Sequence, residues 1–136
     1  MAGKYKSFLT NLGLAKLAAA LAAGERLNFL SYQVGDGGGH ATTPGKNQTS
    51  LIRKVYSGTI SRFWVSEKNP NQVYFEFIIP GNVGGFSISE FALLDDSDAV
   101  VVVGAVEPTY KPLPETDAAA IQMVFRAVVD VGNADA

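Results

Sequence analysis

Few residues in this sequence carry side chains suited to catalysis or ligation, and they do not fall at the spacings such chemistry needs. The only histidine, His40, has no second His or Cys at ligand spacing. A surface-loop imidazole is therefore its plainer reading. Cysteine is absent, which excludes disulfides and thiolate metal sites. Serines are plentiful, but no G-x-S-x-G elbow occurs. Asp95, Asp96 and Asp98 could be drawn as a calcium loop, yet the central Gly and terminal Glu of an EF-hand are missing, so they read as turn acids. Glu90 is the one carboxylate inside an apolar pattern. If buried it would need a partner such as Arg53, Arg62 or Arg126; otherwise it faces solvent. The run Gly35-Asp36-Gly37-Gly38-Gly39 would cradle phosphate only ahead of a helix N-terminus, and His40-Ala41-Thr42-Thr43-Pro44-Gly45 supplies neither that helix nor a Lys-Ser/Thr pair. It reads either as a loop with several positive-φ positions or as a docking loop, because glycine lets a partner's backbone come close. No catalytic, metal-binding or cofactor-binding residue emerges.

The elements that hold these residues fit one domain of 136 residues, long enough to bury a core without metal or disulfide support. Hydrophobic residues make up 47% and charged residues 18%, with a mean hydropathy of +0.13. For a small domain this is apolar, so part of its surface is expected to meet another chain. A net charge of -2 and the lack of any Lys/Arg cluster argue against nucleic acid as a partner. Lys4 and Lys6 ahead of an apolar run resemble a signal peptide superficially, but Asn11 and Lys16 interrupt that run. An amphipathic helix stopped by Gly24 is the better reading, and no stretch is long enough to span a membrane.

Leu14, Leu17, Ala18 and Leu21 share one helical face, which predicts a helix over residues 11–23 with Thr10 or Asn11 as N-cap. Its alanines would let it lie close on a sheet or on a neighbouring subunit. Strands are predicted over 27–34, from Tyr56 to about Val65, over 73–79 and over 121–131. Residues 80–112 form the centre. There Phe86 and Ile88 alternate with serines, and Phe91 and Leu93 take the opposite parity, so a register change falls near Ser89-Glu90. Residues 95–98 are a turn, and the apolar run 100–103 suggests burial on both faces. Three prolines make 107–114 a stiff strap expected to cross a surface without pairing.

The same central segment resembles a known family. Val83-Gly84-Gly85-Phe86, Glu90, Leu94-Asp95-Asp96 and Tyr110-Lys111-Pro112, with residues 34–39, Leu51-Ile52, Val55-Tyr56 and Asn69-Pro70-Asn71 in matching order, look like the N-terminal tail-collar fibre domain of contractile-tailed phages and related particles. The resemblance covers nearly the whole chain. It implies a structural, non-enzymatic component of the virion tail that attaches fibres to the baseplate, with itself as a homotrimer, baseplate proteins and a distal fibre protein as partners. The partner-binding residues it suggests are Gly35, Asp36, Gly37, Gly38, Gly39, Tyr110, Lys111 and Pro112. Family members usually continue into a shaft and a receptor-binding tip, whereas this sequence stops at Asn133-Ala134-Asp135-Ala136, so it is either a piece of a longer fibre or a short adaptor.

The expected architecture is a single α+β domain over residues 1–136, an N-terminal helix packed on a mostly antiparallel sheet of about five to six strands. Two other functions stay open. A receptor- or carbohydrate-binding module would present Trp64, Tyr74 and Tyr110 along a groove; a polysaccharide hydrolase would need paired carboxylates, with Glu90 the first to test.

Overall fold

Period-2 alternation dominates the chain, and the computed structural model turns nearly all of it into strand. The structure describes residues 7–25, 27–113 and 122–130. The expectations placed on Lys4, Lys6, Pro114, Ile121, Val131 and residues 133–136 lie outside them. The elements are β1 (Ser7–Leu9), α1 (Asn11–Ala22), β2 (Phe29–Gly35), β3 (Lys54–Thr59), β4 (Arg62–Val65), β5 (Gln72–Ile79), β6 (Phe86–Asp95), β7 (Val100–Lys111) and β8 (Met123–Asp130). They form a five-stranded sheet in the order β1-β7-β6-β2-β3 and a three-stranded sheet β4-β5-β8, and every pairing among the described strands is antiparallel.

The α+β expectation of one sheet of five to six strands beneath a helix is therefore overturned. The domain is a two-sheet β structure with one short helix. The physical reason lies in β5 and β8, whose apolar faces require an opposing apolar layer longer than a twelve-residue helix. Phe75, Phe77, Ile79, Ala127 and Val129 meet Tyr32, Val34, Phe91 and Leu93 of the larger sheet in one core. Tyr32 stacks on Phe77 with centroids 4.5 Å apart, and its hydroxyl donates to the Ile78 carbonyl at 2.8 Å. Burial, helped by nearby Tyr56, pushes the Tyr32 phenol up to about 12, so it stays a neutral donor. The other face of the larger sheet is covered by Leu51, which packs with Ala92, Leu94, Val100 and Val103. Residues 100–103 are thus buried throughout.

Both lateral edges of the sandwich are tied across. The Ile60 amide donates to Leu30 of the larger sheet at 3.0 Å, and the next amide, Ser61, donates to Glu76 of the smaller sheet at 2.9 Å. The chain passes between sheets at that step. On the opposite side, Ser7 of β1 donates its hydroxyl to the Val128 carbonyl at 2.8 Å.

Ile88 pairs with Thr109 and Glu90 with Ala105, so Ser89 alone faces Val106, Glu107 and Pro108. The register change lies where the parity of β6 places it, and the extra residues are on β7. This also corrects the strap. Pro108 sits in the bulge, where no ladder donor is required, and the chain resumes pairing through Thr109, Tyr110 and Lys111.

Helix α1 begins where Thr10 is buried. Its hydroxyl accepts from the Gly13 amide at 2.9 Å and donates to the Val100 carbonyl at 2.9 Å. A Cβ at Gly13 would lie 2.2 Å from the Val101 oxygen, so only glycine lets the first turn rest against β7. Leu14 and Leu17 reach the core, whereas Leu12 and Leu21 are exposed.

Lys16 of α1 also closes the β6–β7 turn. Its ammonium lies 2.9 Å from Asp95 Oδ2, while Asp95 Oδ1 accepts from the Ser97 amide, the Ser97 hydroxyl and the Ala99 amide at 2.9–3.0 Å. Burial pushes the Asp95 carboxyl up, but Lys16 and these donors outweigh it and hold the group down at about 2, against an ordinary 3.8. A folded-state value below the unfolded one adds stability above about pH 4, lost as pH falls toward 2, amounting to about 2 kcal/mol. Asp95→Asn should lower stability at pH 7 by about that amount and flatten this acid limb. Urea unfolding across pH 2–7 measures both, and parallel pH profiles for the two proteins would refute the assignment.

Candidate functional site

Glu90 is the residue from which the site is built. It lies within β6 and is 2% exposed. Its Oε2 accepts from the amides of Gly37 at 3.0 Å and Arg53 at 2.9 Å, and its Oε1 from the amide of Ile52 at 3.0 Å. Three backbone dipoles meet the buried carboxylate. The expectation of an arginine counter-ion is corrected accordingly: Arg53 contributes its amide, while Arg62 and Arg126 flank Glu76 on β5, each at 3.0 Å. Those two guanidinium groups, Arg126 first, hold the Glu76 carboxyl below its ordinary range.

The glycine-rich loop folds around this carboxylate. Gly37 has φ +64, and a Cβ there would lie 2.3 Å from the His40 carbonyl oxygen. Asp36 accepts from the Gly38 amide at 2.9 Å through its side chain and from the Gly39 amide at 2.9 Å through its carbonyl. Its other carboxylate oxygen lies 3.5 Å from Arg53 Nε. Ser89, opposite the β7 bulge, donates its hydroxyl to the His40 carbonyl at 3.0 Å.

A second buried charge sits at the end of β7. Lys111 is 1% exposed, and its ammonium donates to the carbonyls of Val83 at 2.6 Å and Gly81 at 3.4 Å. Its own carbonyl accepts from the Gly85 amide at 2.7 Å. Lys111 thus holds the 81–85 turn through both its side chain and its backbone.

Between the two braced segments lies a cleft of about 370 Å³. Asp36, Gly39, His40, Ala41, Arg53 and Val55 line it from the loop and β3, and Gly85, Phe86, Ser87, Pro108 and Tyr110 line it from the β6–β7 end, with Ser89 between. Exposed hydroxyls of Ser87 and Tyr110, one guanidinium, one imidazole and two aromatic rings offer hydrogen bonds and stacking. Asp36 is the only carboxylate lining the cleft, and it is engaged by Arg53. No group of three or more His, Asp or Glu that could hold a metal occurs among the described residues.

Of the residues singled out in the sequence, Asp36, Gly39 and Tyr110 line this cleft together, although more than seventy positions separate the loop from Tyr110. Gly35, Gly37 and Lys111 are buried beneath it; Gly38 and Pro112 are exposed outside the lining. Pro108 belongs to the 107–114 strap that the resemblance presents to the baseplate, whereas Arg53, Phe86 and Ser87 were not foreseen. The pairing of β2 with β3 brings in Arg53, and the pairing of β6 with β7 brings in Phe86 and Ser87.

A family model for the N-terminal domain of the phage tail-collar fibre protein matches residues 1–136. The chain belongs to this family. The tail-collar domain is accordingly a tail-fibre protein, a structural component of the phage virion tail. A probable tail fiber protein of Escherichia phage P2 is 37% identical over 113 residues, which is 82% of this chain and 17% of that relative. The tail-collar domain therefore spans about a sixth of the relative it matches. No solved structure matches it.

Glu90→Gln would aim an amide donor at one of the backbone N–H groups, leaving that group without an acceptor. The tail-collar domain should lose about 2 kcal/mol, with faster hydrogen exchange at Gly37, Ile52 and Arg53. Arg53→Ala, which removes only an exposed ion pair, should cost less than about 1 kcal/mol. Urea midpoints and amide exchange check both, and a Glu90→Gln midpoint equal to wild type would remove Glu90 from this role.

Proposed function

We propose that this tail-collar domain is the anchor by which a tail fibre joins the baseplate, acting by noncovalent contact and performing no reaction. The observation that carries the reading is the convergence of the 36–41 loop and the Pro108–Tyr110 segment on one cleft whose walls rest on buried charges. Such a shape is pre-organised, so little conformational freedom is lost when a partner docks. Tyr110 is 59% exposed there and is the side chain best suited to act as a binding hot spot.

Self-association as a homotrimer belongs to the same proposal. In α1 the only charged residue is Lys16, and it is turned toward Asp95. Leu12, Ala15, Ala18, Ala19, Leu21 and Ala22 are exposed. Beside them runs an apolar groove of about 360 Å³ that includes Leu17, Leu27, Phe63 and Val65. A helix face with no charge is better accommodated against another chain than in water.

The carbohydrate reading gains no specific support. Trp64 is stacked on Tyr74 at 5.6 Å and carries the Arg62 guanidinium 4.5 Å above its ring, so these groups satisfy one another.

Tyr110→Ala and Arg53→Glu should each weaken retention by fibre-stripped baseplates at least about tenfold while leaving the fold intact. Light scattering should give a trimeric mass for the wild type and a monomeric one for Leu21→Asp. A monomeric wild type that baseplates do not retain would end the proposal.

A further inference from the structure

We infer that Lys111 is a positioning residue of the docking cleft: its buried ammonium fixes the 81–85 turn, and through that turn the wall formed by Phe86 and Ser87. The inference rests on the docking reading above and adds a residue that touches no partner.

Lysine is among the residues least often buried, yet Lys111 is 1% exposed. Its ammonium is met by the carbonyls of Val83 and Gly81, at 2.6 and 3.4 Å, and among the described residues it is in no ion pair. For packing alone, an aliphatic side chain would fill the end of β7 without the desolvation cost of a charge. The carbonyls it gathers belong to the turn that leads directly into Gly85, Phe86 and Ser87, all in the cleft lining. Among the described residues, the remaining hydrogen bonds of this turn are backbone ones, from the Val83 amide to Pro80 and from the Gly85 amide to Lys111 itself. Strand alternation does the rest. Tyr110 points outward into the cleft and Lys111 points inward, so one dipeptide presents a contact residue and anchors the turn that leads into the strand paired beside it.

The test compares wild type, Lys111→Met, Gly84→Ala, Tyr110→Ala and Arg53→Glu for binding to isolated fibre-stripped baseplates, with amide exchange measured in parallel. Lys111→Met is expected to bind at least tenfold more weakly, with faster exchange at Val83 and Gly85 and unchanged protection in β5. Wild-type binding by folded Lys111→Met overturns the inference and leaves the docking reading standing. Should Lys111→Met fail to fold, Gly84→Ala decides. A Cβ at Gly84 would lie 2.2 Å from the Pro112 oxygen, so this change displaces the turn while the ammonium stays. A tenfold loss then supports the inference, and unchanged binding overturns it. Undiminished binding by Tyr110→Ala together with Arg53→Glu would overturn the docking reading, and the role of Lys111 with it.

Discussion

A carboxylate buried in a β-strand has to be neutralised or solvated by the protein, and the way Glu90 is solvated shapes one end of this domain. Three amides converge on it from two segments that are otherwise loop and strand edge. Each amide is a group that would itself be costly to leave unpaired once water is excluded. Donors and acceptor therefore fix one another. The geometry leaves room for Gly35 and Gly37 alone at their positions, because a Cβ at Gly35 would lie 2.4 Å from the Glu90 carboxylate. What reads in the sequence as a string of permissive glycines is, in the folded chain, a tightly determined cradle.

Lys111 repeats the arrangement with the opposite sign. Its ammonium is solvated by carbonyls, as the carboxylate is by amides, and the two charges stand under opposite sides of the same cleft. Asp95, by contrast, does have a cationic partner, and it closes the other end of the β6–β7 hairpin by joining the turn to α1. The long hairpin thus carries a buried ionic anchor near each end. The aromatic and β-branched core between the sheets needs none, since shape and apolar burial suffice there.

For a virion tail component this division of labour is mechanically sensible. Edges of β-sheets invite unwanted strand addition, and here the sandwich is tied across both sides, by the switch at Ile60-Ser61 and by Ser7 on Val128. Two shaped features stand out among the described residues: a polar, aromatic cleft at one place and an uncharged helix face at another.

Much of this was legible in the residues alone. Alternation marked most strands, although it missed β1 and merged β3 and β4 into one strand from Tyr56 to about Val65; Thr10 and Gly24 bracketed the helix, the parity change in β6 marked the bulge, and the tail-collar motifs pointed to a structural tail protein. These are local signals, written within a few positions of one another. Local periodicity states which face of a strand is apolar, but not which strand or sheet will cover it, so the split into two sheets and the small part played by the helix had to come from the fold. The same holds for the site. Glu90 was conspicuous, but its amide partners lie 37 to 53 positions away. Lys111 looked like a surface contact until the turn from 81 to 85 folded over it. Sequence fixes the chemical appetite of a residue; only long-range packing, which settles where each backbone dipole points, decides how that appetite is met.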